Sequence, residues 1–211
     1  MDLQSLSGEL QRRFDEKMRA REKALSSSRK AIRSSANAIR AIHRGDTEQA
    51  EVLMKEARTA LDEGEGAVEG HPDVRWAGFL HDASKEYAEA RLTQAVTDGA
   101  ELPSPDELGV TMAAYLNGMA ETIGECRRKV LDLLRQGESD EAERLLRTMD
   151  DFYYVLVTVD YPDAITGQLR RWTDVARGII ERTRGDLSLS MVQRDLREAL
   201  DRHTRDLRSD T

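Results

Sequence analysis

The sequence predicts an all-α protein. Only 5% of its 211 residues are aromatic and 34% are charged, so the core has to be built mostly from Leu, Ile, Val, Met and Ala, as is typical of helical proteins. Glycine and proline divide the chain into about seven segments with apolar residues near a 3.6-residue period. No long linker separates two halves. We therefore expect one seven-helix bundle domain over residues 1–211, with a frayed tail at about 207–211.

The first three helices are predicted from apolar periodicity and capping signals. The segment 3–43 has apolar or small residues on one helical face and ends before Gly45. Asp46, with Gln49 three residues later, forms a capping-box pattern that opens the second helix. A proline at the first position of 72–97 suits the start of a third helix, because proline lacks the N–H that would be unpaired there.

Serine and proline signals define the second half of the chain. Ser104-Pro105-Asp106-Glu107 is the strongest start, because it combines an N-cap serine, a proline at the first helical position and a glutamate at the third. The run 153–159 is β-branched and aromatic, but a lone strand would have no pairing partner, so we assign it to a helix. Gly185 is the expected end of the sixth helix. The predicted helices cover 105–135, with a break allowed near Gly109, then 139–159, 162–184 and a short segment from about 188 onward.

Composition limits the classes of function. A single cysteine, Cys126, excludes an internal disulfide and a cysteine zinc site. The start Met1-Asp2-Leu3-Gln4 lacks a basic and an apolar signal region, and no apolar run approaches the roughly 18 residues of a membrane span. We expect a cytoplasmic protein without a membrane partner. The net charge of -8 argues against general electrostatic attraction to nucleic acid, so charge has to be examined locally.

Two carboxylate pairs are the main candidate site. Glu86 and Glu89 are three residues apart, and Glu121 and Glu125 are four apart, so each pair projects from one helix face. If both pairs are partly buried, the carboxylates cannot all stay ionised without a cation, and oxygen-only ligands suit Mg²⁺ or Mn²⁺. The alternative is a structural ion-pair network. The surrounding residues are small or apolar: Ala83, Ala88, Ala90, Leu92, Met119, Ala120 and Ile123.

The histidines argue against a di-iron site. A di-iron carboxylate bundle uses Glu-x-x-His motifs on two helices. No glutamate stands three residues before a histidine in this sequence. We therefore expect His43, His71, His81 and His203 to be caps or surface residues rather than metal ligands.

An arginine stripe follows the first helix. Arg29, Arg33, Arg40 and Arg44 fall within about 60° on a helical wheel, with no acidic residue on the same stripe. Such a stripe can contact phosphates along a nucleic-acid strand. It can equally be a solvated helix face.

Two tryptophans and an apolar N-terminal face are candidate contact residues. Trp76 and Trp172 are expected as core or interface anchors, with base stacking as the less common alternative. Leu6, Leu10 and Phe14 would be exposed on the first helix. Their exposure indicates contact with another subunit without fixing its symmetry.

Several motifs occur in order along nearly the whole chain. They are Arg21-Glu22-Lys23-Ala24-Leu25-Ser26, Ala41-Ile42-His43-Arg44-Gly45, Lys85-Glu86-Tyr87-Ala88-Glu89-Ala90, Tyr115-Leu116-Asn117-Gly118-Met119-Ala120-Glu121 and Glu181-Arg182-Thr183-Arg184-Gly185-Asp186. As an ordered set they resemble the translin family. The likeness is greater to its archaeal members and to translin-associated factor X than to translin itself.

The resemblance implies a seven-helix protomer that assembles into a closed, barrel-like homo-oligomer, usually an octamer, enclosing RNA. Translin-like subunits bind single-stranded RNA or DNA, and factor X-like subunits cut RNA with Mg²⁺ held by acidic residues. By motif, those residues are Glu86, Glu89, Glu121 and Glu125, which would be both metal ligands and catalytic residues. Factor X has an aspartate at the position of Glu121, and a glutamate still binds Mg²⁺.

The expected function is therefore a magnesium-dependent endoribonuclease that binds single-stranded RNA, or single-stranded DNA, inside a closed oligomer. The arginine stripe would hold the strand through phosphate contacts. One alternative is a non-catalytic nucleic-acid-binding oligomer in which the glutamates form a structural network. Another is a helical scaffold without a nucleic-acid role, which the negative net charge favours.

Overall fold

Six long helices and three single-turn helices make up the secondary structure of residues 2–209, the part of the chain that the computed structural model describes. No strand occurs within this range, which confirms the all-α prediction. The helices are α1 (Leu3–His43), α2 (Thr47–Ala67), α3 (Pro72–Arg75), α4 (Phe79–Asp98), α5 (Pro105–Leu108), α6 (Met112–Gln136), α7 (Ser139–Thr158), α8 (Asp163–Thr166) and α9 (Leu169–Ser209).

The helix starts follow the capping signals of the sequence. The Asp46 carboxylate accepts a hydrogen bond from the Gln49 backbone N–H at 3.2 Å. At α5 the Glu107 N–H donates to Ser104 Oγ at 3.2 Å, and the Ser104 N–H donates to Glu107 Oε2 at 2.7 Å. This reciprocal pair is the predicted capping box. The run 153–158 is helical, as predicted, within α7.

The seven-helix count is wrong for residues 2–209, which form nine helices. The predicted third helix is interrupted before α4 by Gly78, whose φ is +98°. The fourth breaks at Gly109, where the sequence allows a break, and the sixth is interrupted by Gly167. Both glycines have a φ of +61°. A right-handed helix cannot continue through this left-handed backbone region, which glycine adopts without steric cost.

The last helix continues where a stop was predicted. Helix α9 is 41 residues long and passes through Gly185 without a break. A glycine inside a helix costs only about 1 kcal/mol relative to alanine, and burial of the flanking residues Ile180 and Leu187 offsets that cost. The predicted fraying of 207–211 stays a prediction, since α9 is helical to Ser209 and residues 210–211 lie outside the described range.

The helices pack so that α4 and α6 lie at the centre. Helix α1 packs against α2 and α4, α4 packs against α6, and α6 packs against α7 and α9. Much of the core is alanine, with larger residues such as Met54, Leu92 and Ile123 fully buried. Alanine-rich faces allow short distances between helix axes. No helix among residues 2–209 combines the length and apolar character needed to cross a bilayer.

A glycine sets the distance between the two central helices. A Cβ placed on Gly118 of α6 would lie 2.8 Å from the Lys85 carbonyl oxygen and 2.9 Å from the Glu89 nitrogen, both on α4. Real Cβ atoms almost never approach backbone this closely, so only glycine fits. This contact brings the part of α4 that bears Glu86 and Glu89 next to the turn of α6 that bears Glu121.

Candidate metal centre

Three carboxylates meet where α4 and α6 are in contact. Glu86, Glu89 and Glu121 each offer one oxygen, and these oxygens all lie within 4.8 Å of one another. The predicted small and apolar surroundings are confirmed, since Ala88 and Ala120 beside the cluster are buried. Helix spacing brings each carboxylate to the shared face, and the close α4–α6 packing brings the two helices together.

Burial changes the ionisation of this cluster. Glu89 is only 8% exposed. Its burial, followed by the charges of Glu121, Glu86 and Glu125, raises the pKa of Glu89 to about 9. Burial also raises the pKa of Glu86, although the charge of Lys85 opposes that shift. At neutral pH Glu89 is therefore protonated when no cation is bound, because a further negative charge is too costly there.

A lysine from α4 neutralises part of the cluster. The Lys85 ammonium donates a hydrogen bond to Glu121 Oε1 at 2.7 Å and lies 3.4 Å from Glu86 Oε1. It also lies 5.2 Å from the centre of the Trp172 ring on α9. Burial alone lowers the pKa of Lys85, but the hydrogen bond and charge of Glu121 and the charge of Glu86 outweigh it and raise that pKa. Sequence reasoning missed this partner, because the pairing with Glu121 is between helices.

The fourth predicted carboxylate has a different partner. Glu125 lies outside the group of three, although its charge contributes to the raised pKa of Glu89. Its Oε2 lies 2.5 Å from Nε2 of His43 on α1, and the His43 side chain is 5% exposed. The expectation that His43 is a cap or surface residue is therefore wrong. Its position four residues after the buried Ile39 was the sequence signal for an inward-facing side chain.

Comparison with solved structures shows where this arrangement belongs. The chain aligns with a structure of AfC3PO bound to duplex RNA at a TM-score of 0.78 and 35% identity, covering 89% of this chain and 97% of that one. A crystal structure of AfC3PO alone gives a TM-score of 0.79, 34% identity and the same coverages. The chain belongs to the translin (C3PO) family. The predicted family is thus confirmed.

Other relatives of this translin-family chain give less detail. The structure of apo-NeC3PO has a TM-score of 0.76 but 21% identity, covering 90% of this chain and 97% of that one, and supports the fold alone. An uncharacterized protein of Methanocaldococcus jannaschii is 34% identical over 128 residues, which are 60% of this chain and 57% of that protein. The match thus spans less than two thirds of that relative. No family model matches.

The remaining histidines of the translin-family chain have separate surroundings. His81, which is half-buried, is a further correction to the predicted cap or surface role. Its Nε2 lies 3.2 Å from Nδ2 of the buried Asn117, which also donates to the Gly167 carbonyl at 2.9 Å. Burial lowers the pKa of His81, so the neutral ring accepts this hydrogen bond. His71 is the N-cap residue of α3 and His203 is exposed, as expected.

All four arginines of the predicted stripe are exposed on α1. Arg40 donates to the side-chain oxygen of Asn37 at 2.5 Å. Arg29, Arg33 and Arg44, like Arg40, form no ion pair with any acidic residue in the part of the chain described. Among the described residues, their charges are thus not neutralised by ion pairs. The role of the stripe in binding phosphates stays a prediction.

An apolar cleft of the translin-family chain is lined in part by Ser84 of α4, Leu116 of α6 and Ile165 of α8. Its volume is about 980 Å³, and the four predicted glutamates are not among the described residues that line it. Trp76 is 71% exposed at its edge, with the Arg75 guanidinium 5.3 Å from the ring centre. Trp172, in contrast, packs against the core. Trp76 is therefore not a core anchor within the protomer, whereas Trp172 is.

Two of the three residues of the predicted N-terminal apolar face are exposed. Phe14 is 64% exposed and Leu10 is also exposed, while Leu6 is partly covered. These side chains are available for contact between subunits. The subunit number stays a prediction.

Proposed function

We propose that this protein binds RNA within a closed homo-oligomer and cleaves it as a magnesium-dependent endoribonuclease, with Mn²⁺ as a possible substitute. The observation that supports the catalytic role best is the group of three carboxylates whose oxygens lie within 4.8 Å of one another, with Glu89 buried and the other two half-buried. The RNA-binding role is supported by the likeness to AfC3PO, whose structure contains duplex RNA.

The residues fit a divalent cation. All the donors are carboxylate oxygens, the ligands that Mg²⁺ and Mn²⁺ prefer. Burial first, and then the charges of Glu121, Glu86 and Glu125, raise the pKa of Glu89 to about 9, and the charge of Lys85 opposes this shift. Glu86, Glu89 and Glu121 would hold the metal, and Glu125 would complete the set through the oxygen that does not face His43. A bound divalent cation supplies polarisation of the phosphate oxygen and a lower pKa for an attacking water.

Other residues of the chain would orient the metal ligands and hold the RNA. His43 keeps the Glu125 carboxylate in one orientation through its Nε2 contact with Oε2. The exposed arginines Arg29, Arg33, Arg40 and Arg44 would bind phosphates with little discrimination between sequences. We propose single-stranded RNA as the substrate, with single-stranded DNA as a further ligand, in an octamer. Cytoplasmic location stays a prediction.

Cleavage of a short labelled single-stranded RNA tests the function. Purified protein is incubated with Mg²⁺ or with EDTA, and a duplex of the same sequence is assayed in parallel. We expect cleavage only with Mg²⁺, and we expect Glu89→Gln to bind RNA with unchanged affinity but leave it uncut. Glu63→Gln, the same change at an exposed position, should cleave like the wild type. Equal cleavage by wild type and Glu89→Gln would remove the carboxylates from the mechanism.

A non-catalytic nucleic-acid-binding oligomer is the second candidate. The contact of the Lys85 ammonium with Glu121 and Glu86 favours it, because an internal cation can turn the carboxylates into a structural network. This candidate predicts RNA binding without Mg²⁺ and no cleavage products. RNA binding that does not weaken as salt rises would instead favour the scaffold without a nucleic-acid role.

A further inference from the structure

The site that the proposed function uses contains its own cation. We propose that Lys85 competes with the divalent cation for Glu86 and Glu121, so that metal binding requires the ammonium to leave these carboxylates. This inference rests on the proposed metal site, and it assigns to Lys85 the role of a positioning residue that sets metal affinity.

The Lys85 ammonium lies against two of the proposed metal ligands. The Lys85 ammonium lies 2.7 Å from Glu121 Oε1 and 3.4 Å from Glu86 Oε1, and the lysine side chain is 13% exposed. Both carboxylates belong to the group whose oxygens lie within 4.8 Å of one another. An ammonium and a divalent cation cannot both approach the same oxygens closely, because Mg²⁺ requires short contacts in near-ideal geometry and the two charges repel.

The Lys85 ammonium has an alternative contact, the ring of Trp172. The ring centre of Trp172 lies 5.2 Å from Lys85 Nζ. Trp172 belongs to α9, whereas the carboxylates belong to α4 and α6, so the ring is independent of the metal ligands. A cation over an aromatic face is attracted to it even without a carboxylate partner. The ring therefore lowers the cost of moving the ammonium away from Glu86 and Glu121.

Without metal, the Lys85 ammonium compensates part of the negative charge of the site. One ammonium directly faces two carboxylates, those of Glu86 and Glu121. The ammonium thus stabilises the folded protein before metal arrives, since buried carboxylates without a cation are strongly destabilising. Removing the ammonium should lower the stability of the metal-free protein and, at the same time, raise its affinity for metal. A lysine with a purely structural role would not couple these two effects in opposite directions.

A calorimetric titration of the protein with Mn²⁺ tests whether Lys85 competes with the metal. We expect Lys85→Met to bind Mn²⁺ about tenfold more tightly than the wild type, the scale of one charge-assisted hydrogen bond. Lys85→Arg keeps a cation and should bind with an affinity near that of the wild type. Lys23→Met, the same change at an exposed position of α1, is the matched control.

Thermal unfolding gives a second readout that does not depend on activity. In EDTA, Lys85→Met should melt at a lower temperature than the wild type. Addition of Mg²⁺ should raise the melting temperature of Lys85→Met by more than it raises that of the wild type. If Lys85→Met does not fold, Lys85→Gln removes the charge while keeping a hydrogen-bond donor for Glu121.

The result that overturns the inference is distinct from failure of the proposed function. Unchanged or weaker Mn²⁺ binding by the neutral Lys85 variant, with binding lost in Glu121→Gln, excludes competition and leaves the metal site in place. Absence of Mn²⁺ binding in both the wild type and the neutral variant overturns the metal site and the inference together.

Discussion

Gly118 of α6 lies against the Glu89 backbone of α4 so closely that a Cβ on the glycine would be 2.9 Å from the Glu89 nitrogen. This contact holds together the two helices that bear the carboxylates. It also makes the geometry of the cluster sensitive to a single methyl group.

Gly118→Ala should therefore destabilise the protein by about 1–3 kcal/mol, because the methyl group meets backbone rather than a movable side chain. It should also weaken Mn²⁺ binding, since α4 and α6 have to separate. Chemical denaturation and calorimetry measure the two effects. Gly124→Ala on the same helix, where a Cβ meets nothing within 4 Å, should be neutral or stabilising by up to about 1 kcal/mol. Equal stability of the two variants would contradict this packing argument.

Stability should depend on pH through Glu89. Its pKa is raised from 4.5 to about 9 in the folded protein. The folded state therefore keeps a proton that the unfolded state releases above pH 4.5. Its contribution to stability is thus complete below pH 4.5 and is lost as the pH rises towards 9. In EDTA, the melting temperature of the wild type should fall more steeply from pH 5 to pH 9 than that of Glu89→Gln. Parallel curves would show that Glu89 titrates normally.

His43 should matter for metal binding and cleavage without contacting RNA. His43→Ala removes the partner of Glu125 Oε2, and loss of such an orienting contact typically costs about 10–100-fold in metal affinity or activity. Mn²⁺ titration and the RNA cleavage assay measure the loss, and RNA affinity in EDTA should stay unchanged. His203→Ala, at an exposed histidine of α9, should have no effect. A fall in RNA affinity would instead place His43 in the binding surface.

The arginine stripe should determine RNA affinity in a salt-dependent way. Replacing Arg29 and Arg33 together with alanine should weaken binding and reduce the slope of log affinity against log salt by about 0.7 for each phosphate that the variant no longer neutralises. Filter binding at several salt concentrations measures both quantities. The matched control replaces the exposed Arg202 and Arg205 of α9. An equal fall in affinity for the control pair would mean that net charge, rather than the stripe, governs binding.

Features that depend on local spacing can be predicted from the order of the residues alone. Helix starts at Asp46 and Ser104 follow from side chains that bond backbone N–H groups within three residues. The pairing of Glu86 with Glu89 on one helix face follows from the helical repeat. The family was also recognisable, because its motifs occur in order and the solved relatives align with 89% of the chain.

Helix packing determines which of these residues meet and how they ionise. The contacts of Lys85 with Glu121 and of His43 with Glu125 join different helices, and local periodicity does not specify distances between helices. Helix α9 likewise continues past Gly185, because burial of its apolar side chains outweighs the propensity of one glycine. The raised pKa of Glu89 has the same origin, since burial and neighbouring charges exist only after the helices have packed.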